Sequence, residues 1–216
     1  MQPLTILHTA SSCSWNGQED RILSEAKGMI ERGHQVGLFC PPLSQLFERA
    51  REMQIDAFPA PFEKRNHEGF KAAFKWMKRY RVDVVNTHNA LDNWYFSTSK
   101  IMLRKQCHLI RTLHKPTLLS RDPATHLLFR YGSSRIITTS ETVRHALVDR
   151  NKLPSDKVYS IPTGIDLDHF DRGNQLRARN DVNMPVNIAL LGVSGDHLLN
   201  INYDALLSTI SQLPED

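Results

Sequence analysis

A chain of 216 residues, 40% hydrophobic and 23% charged, carries enough apolar material for one folded domain and the beginning of another. No apolar run approaches the ~18 residues of a membrane span, and the N-terminus lacks the basic and apolar regions of a signal peptide. Three widely spaced cysteines, Cys13, Cys40 and Cys107, make neither a disulfide framework nor a C-x-x-C pair, which points to a reducing, cytoplasmic setting.

The net charge of +4 does not call for nucleic acid. It is unevenly placed. Between positions 64 and 81 there are seven Lys or Arg against the single acid Glu68, a local +6 that leaves −2 for the rest.

In chain order, residues 4–9 read as a first strand, followed by a polar loop to Gly17. Asn16 is an N-cap, and Glu19 can complete a capping box. The helix that follows puts Ile22, Leu23, Ala26, Met29 and Ile30 on one face, and Gly33 closes it. Residues 35–40 form a second strand stopped by Pro41 and Pro42, residues 43–53 a helix, and 55–58 a short strand. The span 67–81 is a helix with Phe70, Ala73, Phe74, Met77 and Tyr80 on one face and its lysines elsewhere. A strand at 82–87, a helix at 91–105, a strand at 107–113 and a helix at 123–131 come next. A strand at 135–139, a helix from the N-cap Ser140 to residue 150, and a strand at 156–161 complete the series, which breaks at Pro162-Thr163-Gly164. Residues 171–183 are polar and read as a linker, 185–192 as one more strand and 203–213 as a helix. The expected division is a domain over 1–170, the linker, and an incomplete second domain over 184–216.

Strands and helices alternating with short connections imply an α/β fold, a doubly wound parallel, Rossmann-like sheet. Such sheets bind ligands at the carboxyl ends of their strands. The candidate site is therefore the set of loops at 9–17, 87–93, 114–120, 140–141 and 163–164.

The first of these loops has one glycine, so NAD or FAD is not expected, and there is no P-loop. Gly17 opens a helix, where free N–H groups attract an anion or a sugar hydroxyl. His88 and His114 each follow a strand, so two imidazoles could hydrogen-bond hydroxyls or move protons over one cleft. Lys115 could meet a phosphate. No metal-ligand spacing such as H-E-x-x-H occurs, and Asp166-Leu167-Asp168 reads as turn and linker rather than a metal-binding D-x-D. The basic span Lys64 to Arg81 reads first as a sheet-covering helix with a solvated lysine face. The alternative is contact with an anionic membrane, with Trp76 near its edge.

Several segments then fit one pattern. Trp15-Asn16-Gly17-Gln18-Glu19-Asp20-Arg21-Ile22-Leu23-Ser24-Glu25-Ala26 with Glu31-Arg32-Gly33-His34-Gln35-Val36 resembles the W-G-G-Q-E-x-R-I-L-x-E-A…R-G-H-x-V opening of bacterial family 4 glycosyltransferases. Asn86-Thr87-His88-Asn89-Ala90-Leu91-Asp92-Asn93-Trp94 is similar to their x-T-H-S-S-x-D-S-W loop. Arg111-Thr112-Leu113-His114 matches R-T-R-H, and Ile136 to Ser140 and Tyr159 to Phe170 follow in the family's order. The resemblance spans about residues 4–170.

It implies the N-terminal, acceptor-binding half of a GT-B fold, and a retaining transfer from a nucleotide-sugar donor without metal or other cofactor. The acceptor would be a glycan or lipid-linked acceptor, such as a cell-surface glycan or lipopolysaccharide precursor. By position, the resemblance makes His114 the catalytic candidate, close to the transferred sugar. Trp15, Gly17, His88, Asn89, Lys115, Thr163 and Gly164 become substrate-binding candidates. The chain departs from the family after Ile188-Ala189-Leu190-Leu191-Gly192: no Arg or Lys occurs from Asn180 to Asp216 to grip a diphosphate, and the family's E-x7-E segment has no counterpart. The chain is therefore expected to transfer sugar only with a donor half supplied from elsewhere or by a continuation of the chain. The alternatives are a non-catalytic remnant or binding module and, less favoured, a sugar-nucleotide epimerase.

Overall fold

The short apolar runs pair into one seven-stranded parallel sheet in a computed structural model of the chain, which describes residues 2–62, 66–114, 123–167, 170, 173–191 and 203–212. The chain divides into a first unit, Met1–Gly164, and a second, Ile165–Asp216.

In the first unit, β1 (Thr5–Thr9), α1 (Gly17–Glu31), β2 (Gln35–Cys40), α2 (Gln45–Glu52) and β3 (Asp56–Pro59) build one half of the sheet. The other half comprises α3 (His67–Arg79), β4 (Val84–Thr87), α4 (Ala90–Leu103), β5 (His108–Leu113), a short α5 (Pro123–Leu127), β6 (Arg135–Thr138), α6 (Glu141–Asp149) and β7 (Val158–Ser160). The strand order β3-β2-β1-β4-β5-β6-β7 reverses direction between β1 and β4. This is the switch point of a doubly wound sheet, where the crossover helices part to opposite faces.

The predicted capping box is present: the Asn16 side chain accepts from the Gln18 N–H at 2.9 Å, and Glu19 Oε2 accepts from the Asn16 N–H at 3.1 Å. Gly33 ends α1 at φ +86°, a conformation that favours glycine. Residues 123–131, expected as one helix, are instead α5 followed by a π turn at Leu128–Gly132. The backbone widens there as Gly132 closes on α4; a Cβ on Gly132 would lie 2.9 Å from Ser97 Cβ.

Strand alternation sorts the side chains into two faces. One carries Ile6, Val36 and Leu38 against Ile22 and Ala26 of α1 and Leu46 of α2. The other carries Leu7, Phe39, Val85 and Leu109 against Met77 of α3 and Phe96 of α4. On α3, Ala73 and Met77 are buried as the spacing predicts, while Lys71, Lys75 and Lys78 are exposed. Trp76 turns inward and packs on Phe39, Phe58 and Tyr80, with ring centroids 6.0, 5.6 and 4.9 Å away.

The second unit departs from expectation twice. The stretch read as linker contains α7 (Gln175–Asp181), capped by Asn174, whose side chain accepts from the Arg177 N–H. Of the run expected as a strand over 185–192, the described residues 185–191 form none; Arg179 donates to the carbonyls of Pro185 and Ile188 and holds the run against α7 instead. α8 (Tyr203–Ile210) falls where the last helix was predicted, and Asp168 lies outside the described residues. Among the described residues no helix is long and apolar enough to cross a membrane.

Gly69 on α3 abuts α4: a Cβ there would lie 2.8 Å from Tyr95 Cε2. Tyr95 is fully buried, and its hydroxyl is held by the backbone of Asn66. Gly69→Ala should therefore cost about 1–3 kcal/mol in urea unfolding, because the ring has nowhere to go. Gly17→Ala meets no atom within 4 Å and should stay within about 0.5 kcal/mol of the parent. Equal stabilities would show that α3 and α4 can separate at this contact.

Candidate functional site

At the carboxyl end of the sheet, each face supplies its own polar cluster. Beneath the start of α4 lies Asp92, fully buried. Its Oδ2 accepts from Thr9 Oγ1 at 2.6 Å and from the His88 N–H at 3.0 Å, and its Oδ1 accepts from the Asn89 N–H at 2.8 Å. Thr87 Oγ1 bonds Asn93 Oδ1 at 3.0 Å, and the buried Arg111 donates from Nη1 to the Thr87 carbonyl at 3.1 Å. Burial pushes the Asp92 carboxyl up to about 6, against the opposing pull of Arg111, the Thr9 hydroxyl and the two backbone N–H groups. Burial in turn brings Arg111 down to about 10, with Asp92 opposing.

The face beneath α1 carries a row of three histidines. In the sheet register His8 pairs with Asn86, so His8, Asn86 and, two residues on, His88 share that face; Thr112 and His114 continue it on β5. His8 Nδ1 lies 2.9 Å from His88 Nε2, and His88 Nδ1 lies 2.8 Å from His114 Nε2. The first two rings are nearly coplanar, 13° apart with centroids at 5.2 Å, so they meet edge to edge as an in-plane hydrogen bond requires. His8 and His88 are buried and His114 is half-buried.

All three imidazoles are held neutral near pH 7. Burial brings His8 down to about 4. His88 lies well below its ordinary value through burial, then the neighbouring His8 and His114, then Arg111 and Arg21. His114 is brought to about 4 by burial, Arg21 and Arg111.

The loop after β1 is fastened over this floor. Asn89 Oδ1 accepts from the Ser11 N–H at 3.0 Å and from Gln18 Nε2 at 3.3 Å. Gly17 begins α1 with open space where a Cβ would be, so it leaves room above the floor without being sterically required. Arg21 on α1, itself buried, bonds Glu25 at 2.6 Å and reaches the Ile161 carbonyl and Thr163 Oγ1, each at 3.2 Å. Thr163 thus joins the site through Arg21, whereas Gly164 is exposed with open space around it.

Trp15 stands apart from the histidine row. It lines an open cleft of about 380 Å³ between α1 and α2, with the Arg49 guanidinium 3.9 Å over its ring. Lys115 lies outside the described residues.

Of the residues singled out in the sequence, His88, Asn89 and His114 fall within these polar clusters; His8, Arg21, Asp92 and Arg111, which were not among the candidates, lie there too. The signal for His8 was a single polar letter within an apolar strand; for Asp92 it was the position three residues into a helix, where a carboxylate can return to the N-cap backbone.

His8, Glu25 and His88 bring three potential metal-ligand atoms within 4.8 Å of one another. The donor set suits a cation poorly. Glu25 is already paired with Arg21, the histidine nitrogens face each other in a hydrogen bond, and the charges of Arg21 and Arg111 act at His88.

The buried neutral histidines make the fold acid-sensitive. Their folded pKa values lie below the unfolded value, so their contribution is complete above about pH 6.5 and is lost as pH falls toward 4. Asp92, raised to about 6, acts in the opposite direction over part of that range. Three groups against one should make unfolding free energy fall from pH 7 to pH 4.5, by about 1.4 kcal/mol per pH unit for each net proton taken up. Denaturant titrations at a series of pH values would show it, and a flat profile would contradict the burial of neutral histidines.

Comparison with known proteins places the fold. The profile of Glycosyltransferase Family 4 matches residues 15–169. A glycosyltransferase from Rickettsia africae superposes with a TM-score of 0.71 at 17% identity, over 87% of this chain and 52% of that one. HepE from Anabaena, solved in complex with UDP-glucose, gives 0.66 at 12% identity over 83% and 50%. The lipopolysaccharide outer core galactosyltransferase WaaB gives 0.58 at 11% identity over 76% and 46%. None of the curated protein sequences matches the chain. The chain spans about half the length of these structures, and its sheet is the Rossmann-like α/β half of their GT-B fold. The family profile covers well over half of the chain: the chain belongs to glycosyltransferase family 4.

Proposed function

We propose that the first unit is the acceptor-binding half of a retaining glycosyltransferase that moves a sugar from a nucleotide sugar to a cell-surface glycan or lipopolysaccharide precursor at the cytoplasmic side. The observation that carries this reading is the half-buried, neutral His114 at the carboxyl end of β5, backed by His88 and flanked by the Asn89-fastened loop that begins α1. A half-buried neutral imidazole suits a sugar hydroxyl, which needs one directed hydrogen bond rather than a charge. The open space at Gly17 leaves room for a ring to approach the start of α1. The nearby guanidiniums of Arg21 and Arg111 favour an anionic or neutral ligand over a divalent cation, in line with transfer that uses no metal. HepE with UDP-glucose and the galactosyltransferase WaaB lend support through the shared fold.

A second reading, a binding module that does not itself transfer sugar, is favoured by one observation. No Arg or Lys occurs from Asn180 to Asp216, so a diphosphate finds no cation in that stretch. The two readings separate in one experiment. The chain is mixed with lipopolysaccharide core oligosaccharides and radiolabelled UDP-glucose or UDP-galactose, and binding is followed by saturation-transfer NMR while transfer is followed by label. Binding with transfer supports the enzyme, and binding without it supports the module. Absence of oligosaccharide binding removes the acceptor reading. His114→Ala is expected to weaken oligosaccharide binding, or turnover in a complete enzyme, at least about tenfold with an unchanged unfolding midpoint. An unchanged activity would make His114 a loop residue only.

The finer proposal for partners is that the exposed lysines of α3 touch an anionic membrane surface. Cosedimentation with phosphatidylglycerol vesicles should then occur at low salt and fade at high salt. Equal recovery with neutral vesicles, or none with either, would remove it.

A further inference from the structure

The open cleft between α1 and α2 belongs to no part of the polar clusters described above. Its floor is the indole of Trp15 and the buried Leu23, both part of the core packing beneath α1. From α1 it takes Asp20, Ser24 and Lys27, whose spacings of four and three put them along one flank of the helix. From α2 it takes Arg49, Glu52 and Met53, again three and four residues apart. Each helix thus brings one acid and one cation to the same space of about 380 Å³.

These groups do not satisfy one another. Among the described residues the side chains of Trp15, Asp20, Ser24 and Glu52 make no hydrogen bond or ion pair, and Lys27 makes only a loose contact with Glu31, at 3.9 Å on the exposed surface. Arg49 is held by the Trp15 ring, its guanidinium 3.9 Å from the ring centre, and finds no hydrogen-bond acceptor among the described residues. Opposite charges on facing helices that stay apart leave a mixed set of donors and acceptors around one space.

The balance of the lining selects the occupant. Two carboxylates against two cations give it no net charge, so a phosphate would be opposed by Asp20 and Glu52, and a divalent cation by Lys27 and Arg49. A neutral polyol meets neither penalty. Each hydroxyl can donate to a carboxylate and accept from a guanidinium or ammonium. The C–H face of a sugar ring finds the apolar Met53, Leu23 and indole. A guanidinium already ordered on an aromatic ring loses little further freedom when it binds.

We propose that the α1–α2 cleft is a saccharide-binding subsite separate from the histidine row, in which Arg49 on Trp15 and the carboxylates of Asp20 and Glu52 grip the hydroxyls of a sugar unit. The residues of the cleft carry this by themselves, and it does not rest on the acceptor reading of His114.

The test uses the full chain labelled with ¹⁵N at its three tryptophan indoles. Trp76 and Trp94 pack on the other face of the sheet and serve as internal references, and Trp15→Phe assigns the third signal. Maltotriose and lipopolysaccharide core oligosaccharides are titrated in turn, with inorganic phosphate as the control. The Trp15 signal is expected to shift saturably with a saccharide and not with phosphate, while the other two stay. Asp20→Ala combined with Glu52→Ala, both at exposed positions, should weaken that response at least about tenfold with unchanged circular dichroism. His114→Ala should leave it in place. The proposal is overturned by a Trp15 signal that no saccharide moves, by one that phosphate moves as far, or by a response that keeps full affinity in the double variant. Should the double variant not fold, Glu52→Ala alone takes its place. A response that disappears with His114→Ala also overturns it, because the cleft would then not be separate. A Trp15 response in a chain for which His114→Ala changes neither binding nor turnover spares the cleft and sinks the acceptor reading. No Trp15 response in a chain whose oligosaccharide binding depends on His114 does the reverse.

Discussion

One buried carboxylate holds the site in place. Asp92 reaches from the first turn of α4 to the hydroxyl of Thr9 at the end of β1 and to the backbone N–H groups of His88 and Asn89 at the end of β4. Those two strands are the neighbours at which the sheet reverses its order. In a doubly wound sheet the crevice opens there because consecutive helices leave on opposite faces, and nothing in the sheet itself ties the two strand ends together beyond their ladder. Asp92 supplies the tie. Its pKa of about 6 records what the arrangement costs: burial disfavours the charge more than four partners favour it. A side chain without an acceptor there would leave the Asn89 N–H and the Thr9 hydroxyl without the carboxylate, while the His88 N–H would keep the Thr9 carbonyl at 3.2 Å.

The sheet divides labour between its faces. The α3–α4 face uses aspartate, threonine and arginine to fix backbone. The α1 face uses the same strand ends to align imidazoles in a row that emerges at His114. Because side chains alternate along a strand, Thr9 and Thr87 serve one cluster while their neighbours His8 and His88 serve the other. The two clusters meet through backbone and through the charge of Arg111, which acts on Asp92, His88 and His114 alike.

Most of the first unit was legible in the sequence because its signals are local. Apolar runs of four to six residues between capped helices predict strands, and short connections make them parallel. Asn16 with Glu19 and Gly33 marked both ends of α1 as observed. His88 and His114 were visible because each follows a strand. His8 was hidden because a polar residue in mid-strand is not distinguishable, without register, from one facing water; only its pairing with Asn86 puts it under α1. Arg21 and Arg111 entered only as letters of the matched motifs, and the bonds that hold them reach far along the chain, to Ile161 and Thr163 for Arg21 and to the Thr87 carbonyl for Arg111. The second unit misled because its cues are weak. A polar stretch with a good cap at Asn174 became α7, and an apolar run beside it found no strand to pair with and gave its carbonyls to Arg179.

Arg21 has a mechanical consequence. By gripping both the Ile161 carbonyl and the Thr163 hydroxyl, it clamps the chain for three residues past the end of β7. Residues 161 and 163 are thereby tied to α1, although both are exposed. The course of the chain as it leaves the last strand is thus set by a side chain from the first helix, some 140 residues earlier, and not by the sheet.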